Sequence, residues 1–351
     1  MSNRVTIQDI ADALNLSRNT VSKALNNSEG PSDATKARVL AKAVEMGYKQ
    51  FAYANTLLGS QIGLTTDALV QGARDKGEIA LLTTTYLAAP HFSSLMLDGI
   101  QRELALLGYT LNSHRVTEDD MAQLRLPLTF NGDRTAAIIC IEMFNRAYDE
   151  MVCGLGIPTL FVDGPAQHDG WALPSDLLLM ENRTQVTKLV CDMLAQGRKR
   201  IGFIGNWLHC ESFYERYSAF RLAMLMSGVE VEPQLCIRQN YAQGIKEGIE
   251  SSQGLPDLFI CANDFVALDA LQAIRELGYD VPLDVALAGF DDSAESRRCM
   301  PPLTTIHIHT QSMAYSAVQL LRTRIKEPAL DYRQVYAETE LIYRASTDPG
   351  A

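Results

Sequence analysis

Residues 5–48 read VTIQDIADALNLSRNTVSKALNNSEGPSDATKARVLAKAVEMGY, and this stretch decides how the chain begins. Thr6 precedes IQDIADAL with Asp9 three residues on, a start like a capping box. Ile7, Ile10, Ala11 and Leu14 then fall on one helical face. Asn15 and Leu16 break the pattern. Ser17 caps a second helix, RNTVSKALN, whose Val21, Ala24 and Leu25 turn inward. Asn26-Asn27 and Glu29-Gly30-Pro31 end it. Ser32 caps a third helix with Ala37, Leu40, Ala41 and Val44 as its apolar stripe and Gly47 as its stop.

Two helices joined by a tight turn, the second polar from its first turn onward, make a helix-turn-helix pattern. The major groove of DNA admits one helix, and the residues near its N-terminus must carry donors for base edges. Arg18, Asn19 and Lys23 occupy those positions. Ser17, Thr20 and Ser22 are placed to donate to phosphates, and Thr6 and Asn26 complete the expected DNA-facing set. The same spacing also fits a plain three-helix bundle with a solvated polar face.

Beyond residue 78 the pattern changes. Apolar strand-like runs (EIALLTTTY, YTLNSH, AAIICIE, PTLFVDG, RIGFIGN, LFICAND, VALAGFDD, TTIHIHT) alternate with helix-like runs such as SSLMLDGIQRELALLG, TQVTKLVCDMLAQG, SFYERYSAFRLAMLMSG and DFVALDALQAIRELG. Continuous apolar strands separated by helices predict parallel sheets covered on both faces. Such sheets bind ligands beyond the carboxyl ends of their strands. Polar pairs fall at those ends: Asn206-Trp207, Asn263-Asp264, Asp291-Asp292.

Charge separates the two parts. The 351 residues carry a net −11, which excludes a protein that coats nucleic acid indiscriminately. Residues 1–60 hold seven Lys/Arg against five Asp/Glu, leaving 24 against 37 for the remainder. A basic head on an acidic body suits a DNA-reading module joined to a domain that DNA repels. The seven cysteines are scattered, with no CxxC pair, so neither a disulfide framework nor a zinc site is expected. No GxSxG, GxGxxG or GxxxxGK[ST] occurs, and His307 and His309 alternate on a strand without a third ligand. No catalytic residue, cofactor or metal is therefore expected. No apolar run is long enough for a membrane span, and MSNRVTIQDIADALN lacks the features of a signal peptide. A cytoplasmic address without membrane contact is the expectation.

The opening stretch resembles the headpiece of the LacI family of bacterial regulators. It shares the V-T-I-x-D-I-A opening, the S-x-x-T-V-S-[KR]-x-L-N second helix, and the T-x-x-R-V third helix ending in M-G-Y. The resemblance continues through GRKRIGFIGN, YERYSAF, CANDFVALDALQAIRELGYDVPLDVALAGFDDS, PPLTTIHIHT and ETELIYRAST. These look like that family's sensor domain, itself similar to periplasmic sugar-binding proteins. The fold implied is an N-terminal all-α helix-turn-helix headpiece at 1–49, a hinge helix and extended linker at 50–77, and a C-terminal α/β two-lobed domain at 78–346. The implied lobes are 78–176 with a return near 310–338, and 177–308 with the C-terminal strand.

The resemblance also assigns residues. Arg18, Asn19 and Lys23 would face bases. Leu57 would wedge into the minor groove from each of two subunits, with Ala54 and Asn55 facing the groove. Here the hinge departs from the family pattern: Gln50 and Ala52 stand where Pro and Arg are usual, and the connector at 60–77 is unusually long. In the cleft, Arg216 takes the ligand-clamping position, although Ala219 replaces the usual Gly. Asn263 and Asp291 take the positions that bond to hydroxyls, and Phe92 lines the first lobe. Trp207, just past a strand end, is placed to stack on a sugar face. Against this, Arg216 and Asp291 also suit an internal salt bridge, and Trp207 suits lobe packing.

Taken together, these features predict a DNA-binding transcription regulator, a repressor, controlled by a small molecule between two lobes. Its partners would be double-stranded operator DNA of pseudo-palindromic sequence, a second copy of the chain in a homodimer, and an effector. A sugar is the expected effector, and a nucleobase is the alternative because an Arg–Asp pair also clamps a purine. A solute-binding protein without a DNA role and an α/β enzyme using Asp291 or Asp264 as base are the competing readings.

Overall fold

The computed structural model describes residues 7–25, 30–46, 77–84 and 92–347. The chain divides into two units, Met1–Arg74 and Asp75–Ala351. Thr6, Asn26, Ala54, Asn55, Leu57 and residues 60–76 of the expected linker lie outside the described residues.

In the first unit, helices α1 (Ile7–Leu14), α2 (Arg18–Leu25) and α3 (Asp33–Glu45) each pack on the other two. Ile10, Ala11, Val21, Ala24, Val39 and Ala43 form the core, closed by Leu14, Leu16 and Met46. The inward residues described on α3 are thus Val39 and Ala43; the side chains of Ala37, Leu40, Ala41 and Val44 lie outside the description. The turn between α1 and α2 runs through Asn15 at φ +52, a left-handed conformation that asparagine tolerates through local hydrogen bonding. Ser17 caps α2 by accepting from the Thr20 amide at 3.0 Å, and Ser32 caps α3 by accepting from Thr35 at 3.3 Å. Each satisfies an amide that the helix itself leaves unpaired.

In the second unit, the first lobe is built on six parallel strands: β1 (Glu78–Thr83), β2 (Thr110–Arg115), β3 (Thr135–Ile141), β4 (Thr159–Val162), β5 (Asp176–Met180) and β11 (Gln334–Ala337). Their spatial order is β11-β5-β4-β3-β1-β2. Helices α4 (Phe92–Leu106) and α12 (Thr310–Lys326) pack against each other, and α12 also packs on β3, β4, β5 and β11. The short helices α5 (Glu118–Ala122) and α6 (Arg146–Cys153) join successive strands. Every residue of β1, β4 and β5 is buried, as a strand covered on both faces requires.

The second lobe has parallel strands β6 (Ile201–Ile204), β7 (Cys236–Ile237), β8 (Leu258–Cys261) and β9 (Ala286–Ala288), in the order β7-β6-β8-β9. A bridge from Ala288 to Thr304 extends the sheet toward β10 (Thr305–Ile308), which pairs antiparallel with β12 (Thr339–Ile342). Its helices are α7 (Thr184–Ala195), α8 (Glu211–Met226), α9 (Ala242–Ser251), α10 (Asp264–Glu276) and α11 (Ala294–Arg298). Phe220 of α8 stacks on Phe203 of β6 and fixes that helix to the sheet.

One boundary differs from expectation. β5 pairs with β4 and β11, so the first lobe runs to residue 180 rather than 176. The reason is visible at its start. Asp176, fully buried, accepts from Arg324 Nη2 of α12 at 2.9 Å and from the Arg333 amide at 2.8 Å. This carboxylate pins the strand to both returning elements. The chain passes between lobes at 181–183, at 309 and at 338, and two of these crossings are tied together. The Glu181 amide donates to Ala337 O at 2.7 Å, and Thr339 Oγ1 donates to Glu181 O at 2.8 Å. No helix among the described residues is long and apolar enough to cross a membrane.

Candidate DNA-reading helix and ligand cleft

The outer face of α2 carries exposed Arg18, Asn19 and Lys23, with Ser17 exposed and Thr20 and Ser22 half-buried. Val21 and Ala24 on the opposite face are buried, so the helix is held by its inner side while its first turn stays open. Ser17 Oγ and Thr20 Oγ1 lie 2.8 Å apart. One of their two protons bridges the pair, leaving the other free to donate outward. The two hydroxyls thus supply one outward donor between them.

The cleft of the larger unit lies at the carboxyl ends of the strands. Glu142 directly follows β3 at φ +56, and Asp163 directly follows β4 at φ +60. Asp291 and Asp292 stand at φ +116 and +54 in the loop beyond β9. Left-handed backbone at a non-glycine residue costs about 1–3 kcal/mol, so it persists only where the surroundings impose it. Those surroundings are identifiable. Asp292 turns away from the cleft to bind Arg297 at 2.7 Å, His307 at 3.0 Å and Arg344. Burial alone would raise its carboxyl pKa, but these three partners hold it well below the usual range. Asp264, fully buried, accepts from the Ser293 amide at 2.7 Å and from Thr305 Oγ1 at 2.6 Å. Gly289 gives it room, since a Cβ there would stand 2.2 Å from Asp264 Oδ1. The loop is clamped on both sides, and Asp291 is what it presents.

Arg216 enters from α8 and is 2% exposed. Its Nε donates to Asn182 Oδ1 at 2.9 Å and its Nη1 to Ala262 O at 2.7 Å. The guanidinium lies 3.5 Å over the Phe290 ring and 3.9 Å from Asp291 Oδ1. Burial lowers its pKa, while Asp291 opposes that shift; an arginine starts high enough to stay charged. Among the described residues its Nη2 makes no hydrogen bond. Asn263 Oδ1 caps α10 by accepting from the Val266 amide at 3.0 Å, which leaves its NH₂ available. Arg216, Asn263 and Asp291 share one cavity with Glu142, Phe144 and His209. Burial depresses the His209 pKa, favouring the neutral imidazole, and that ring meets Phe144 edge-on at 4.8 Å.

The lobes are latched beside this cavity. Ser212 Oγ donates to Asp163 Oδ2 at 2.6 Å, and the Ser212 amide donates to Oδ1 at 3.1 Å. The Glu211 amide donates to Gly164 O at 2.8 Å, and the Gln167 amide donates to Glu211 Oε2 at 2.6 Å. Burial raises the Glu211 carboxyl to about 7, a shift the Gln167 hydrogen bond opposes. The cavity measures about 130 Å³. That is well under the ~300 Å³ at the lower end of small-molecule pockets, and the Asp163–Ser212 and Gly164–Glu211 contacts join the lobes beside it.

Residues 6–50 match the model for bacterial regulatory proteins of the lacI family, and residues 191–347 match that for a periplasmic binding protein-like domain. The chain belongs to the LacI family of bacterial regulatory proteins. It is similar along nearly its whole length to the HTH-type transcriptional regulator GalR of Lacticaseibacillus casei, with 29% identity covering 97% of this chain and 99% of the relative. The HTH-type transcriptional repressor PurR of Mannheimia succiniciproducens is 27% identical over 97% and 98% of the two chains. Among solved structures, a complex of the transcriptional regulator CelR with cellobiose superposes with a TM-score of 0.67 at 21% identity, covering 98% of this chain and all of that one. The lac repressor dimer bound to operator and the anti-inducer ONPF gives 0.63 at 20% identity, covering 98% and 99%. These superpositions show the fold. As a LacI-family regulator the chain is an effector-controlled, DNA-binding transcription regulator.

Not every residue expected in the cleft of this LacI-family chain is found there. Arg216, Asn263 and Asp291 converge. Trp207 does not line the cavity: its ring stacks on Tyr217 at 4.2 Å and 10°, with Arg238 on the same indole at 5.7 Å. One face of the indole is thus covered by a tyrosine, as lobe packing requires. Phe92 opens α4, but its side chain lies outside the description. Arg216 and Asp291 do lie within salt-bridge distance, the internal pairing that the sequence also allowed. Sequence reasoning missed Glu142, Phe144, Asp163, His209 and Ser212. Glu142 and Asp163 had a usable signal, because each is the first polar residue after an apolar strand.

Proposed function

We propose that α2 reads operator DNA through Arg18, Asn19 and Lys23 at base edges, with Ser22 and the Ser17–Thr20 pair on phosphates, and that two copies of the chain read a pseudo-palindromic site. The effector is an uncharged, hydroxyl-rich ring, a sugar, gripped by Arg216, Asn263 and Asp291. The observation that carries this reading is the buried Arg216 guanidinium, held on Asn182 and Ala262 O with Nη2 uncommitted in a cavity that also holds Asp291 and the Asn263 amide. A guanidinium and a carboxylate together grip vicinal hydroxyls, one donating and the other accepting.

Charge narrows the class further. Among the described residues, the cavity is lined by the carboxyl groups of Glu142, Asp163 and Asp291 and by one guanidinium, and burial disfavours a positive charge on His209. A phosphorylated or carboxylated ligand would meet net repulsion at low dielectric. The cellobiose held by one structural neighbour is in keeping with a sugar. Because the cavity is small, an incoming sugar must part the lobes before it can be enclosed. The ligand then shifts operator affinity by its preference between the two lobe arrangements.

Thermal-shift screening of the full chain against neutral hexoses and disaccharides, their phosphates, and purine bases tests the class. A shift with a neutral sugar, lost in Arg216→Ala and Asp291→Asn, is the expected result. A shift only with purine bases would move the assignment to a nucleobase, and a shift only with phosphates would overturn the charge argument. Fluorescence anisotropy on DNA from the chain's own promoter, with and without that sugar, tests the regulation.

A further inference from the structure

Glu215 adjoins Arg216 on α8, and its buried carboxylate has gathered three donors. Asn182 Nδ2 reaches Oε2 at 2.8 Å, and Arg183 Nη2 and the Tyr336 hydroxyl each reach Oε1 at 2.8 Å. Asn182 and Arg183 belong to the first crossing between lobes. Tyr336 lies on β11, two residues before the third crossing, and Arg183 Nη2 also donates to its hydroxyl at 3.1 Å. Asn182 is fully buried, and the other end of its amide accepts from Arg216 Nε. An unbroken chain of hydrogen bonds therefore runs from Arg216 through Asn182 and Glu215 to Tyr336.

We propose that Asn182, Glu215 and Tyr336 are positioning residues that carry the state of Arg216 to the crossing strands, so that a ligand on Arg216 resets the angle between lobes. The proposal rests on Arg216 being a ligand contact. Its physical basis is the rigidity of one planar amide. Asn182 cannot follow a displaced Nε without rotating its NH₂ away from Glu215. A buried polar group left unpaired is costly, so partial breakage is disfavoured and the set moves together. The Tyr336 hydroxyl stays protonated across the physiological range. Burial raises its pKa, and the hydrogen bond to Glu215 raises it further. Arg183 likewise stays charged beside Glu215. Both donors thus remain in place when the surrounding pH varies. The crossings are also bonded to each other through Glu181, Ala337 and Thr339, so a pull at Asn182 reaches β11 and β12 as well.

Tyr336→Phe removes one hydroxyl that does not line the cavity and keeps the ring. The test compares it with the wild type in two measurements on the full chain, using as probe the neutral sugar that gives the largest thermal shift. One is the Kd of that sugar by calorimetry. The other is the ratio of operator Kd values with and without saturating sugar. Regulatory coupling commonly amounts to ~5–150-fold, and the variant is expected to lose most of that ratio while its sugar Kd moves by less than about threefold, a change small beside that range. Glu215→Gln should do the same, since an amide cannot accept from all three donors. Full coupling in Tyr336→Phe overturns the proposal, as does an equal loss of sugar affinity and coupling.

If the wild type binds no sugar, the effector reading has failed separately, and the relay is read without a ligand. Arg216→Lys, Tyr336→Phe and the double variant are compared by denaturant unfolding. No hydrogen bond joins the two side chains directly, so a non-additive double variant supports the relay and an additive one overturns it.

Discussion

Replacing Asp149 by asparagine isolates a charge cost that the fold carries at neutral pH. Asp149 sits on α6 at 0% exposure, and neither carboxyl oxygen has a hydrogen-bond partner among the described residues. Burial raises its pKa from 3.8 to about 8. Between those values the folded chain keeps a proton that the unfolded chain releases, so the site destabilises the fold increasingly as pH rises. Each unit of pH within that window changes stability by about 1.4 kcal/mol, so the move from about pH 5 to about pH 7 removes about 2.7 kcal/mol. Asparagine keeps the shape and removes the ionisation. Guanidinium unfolding of both proteins across this range is the assay, and the difference between them is the quantity to follow. Other titrating groups, Glu211 among them, are present in both and cancel. The variant should gain on the wild type steadily with pH and level off above about pH 8, where the folded carboxyl also ionises. A difference that does not change with pH would refute the reasoning, because the carboxyl would then be ionised in both states or solvated in both.

Arg18→Ala and Asn19→Ala should each weaken operator binding by about 1–3 kcal/mol while changing affinity for unrelated DNA much less, read by anisotropy on paired duplexes. Gly289→Ala should abolish sugar binding in calorimetry, because the new Cβ collides with Asp264 and displaces the loop that presents Asp291. Trp207→Ala should lower the unfolding midpoint through loss of the Tyr217 stack yet leave the sugar Kd unchanged. Asp292→Asn should cost about 3 kcal/mol of stability at neutral pH, since Arg297 and Arg344 lose a buried counter-charge.

The headpiece and the alternating body were legible because each rests on a repeating signal. Ile10, Ala11, Val21 and Ala24 recur at helical spacing and do form the core. The apolar runs before Glu142, Asp163 and Asn263 do form parallel strands. What the sequence hid depends on contacts between distant residues. DLLLM at 176–180 is short and begins with aspartate, so nothing local marks it as a central strand. Its partners Arg324 and Arg333 lie some 150 positions away. The two readings of Trp207, sugar stacking and lobe packing, could not be separated for a related reason. A strand-end position locates a side chain near a cleft but not its direction, and here Tyr217 on the next helix claims the ring. Arg216 was legible as a candidate ligand residue only through family resemblance, whereas its attachment to Asn182 required the fold.

The cleft is expensive to build for stability alone. Replacing a buried ion pair such as Arg216 and Asp291 with apolar side chains is often neutral or stabilising, and the positive-φ residues Glu142, Asp163 and Asp291 add strain. An apolar seam at this position would close the lobes permanently. A polar seam leaves donors and acceptors that a hydroxyl-bearing ligand completes and that water completes when the lobes part. The free-energy gap between closed and open lobes is thereby kept small, and only a small gap can be shifted by a ligand of modest preference. The lobe latch at Asp163 and Ser212 supports the same argument. It joins the two lobes through a few polar contacts, while Arg216 is tied through Asn182 to the first crossing.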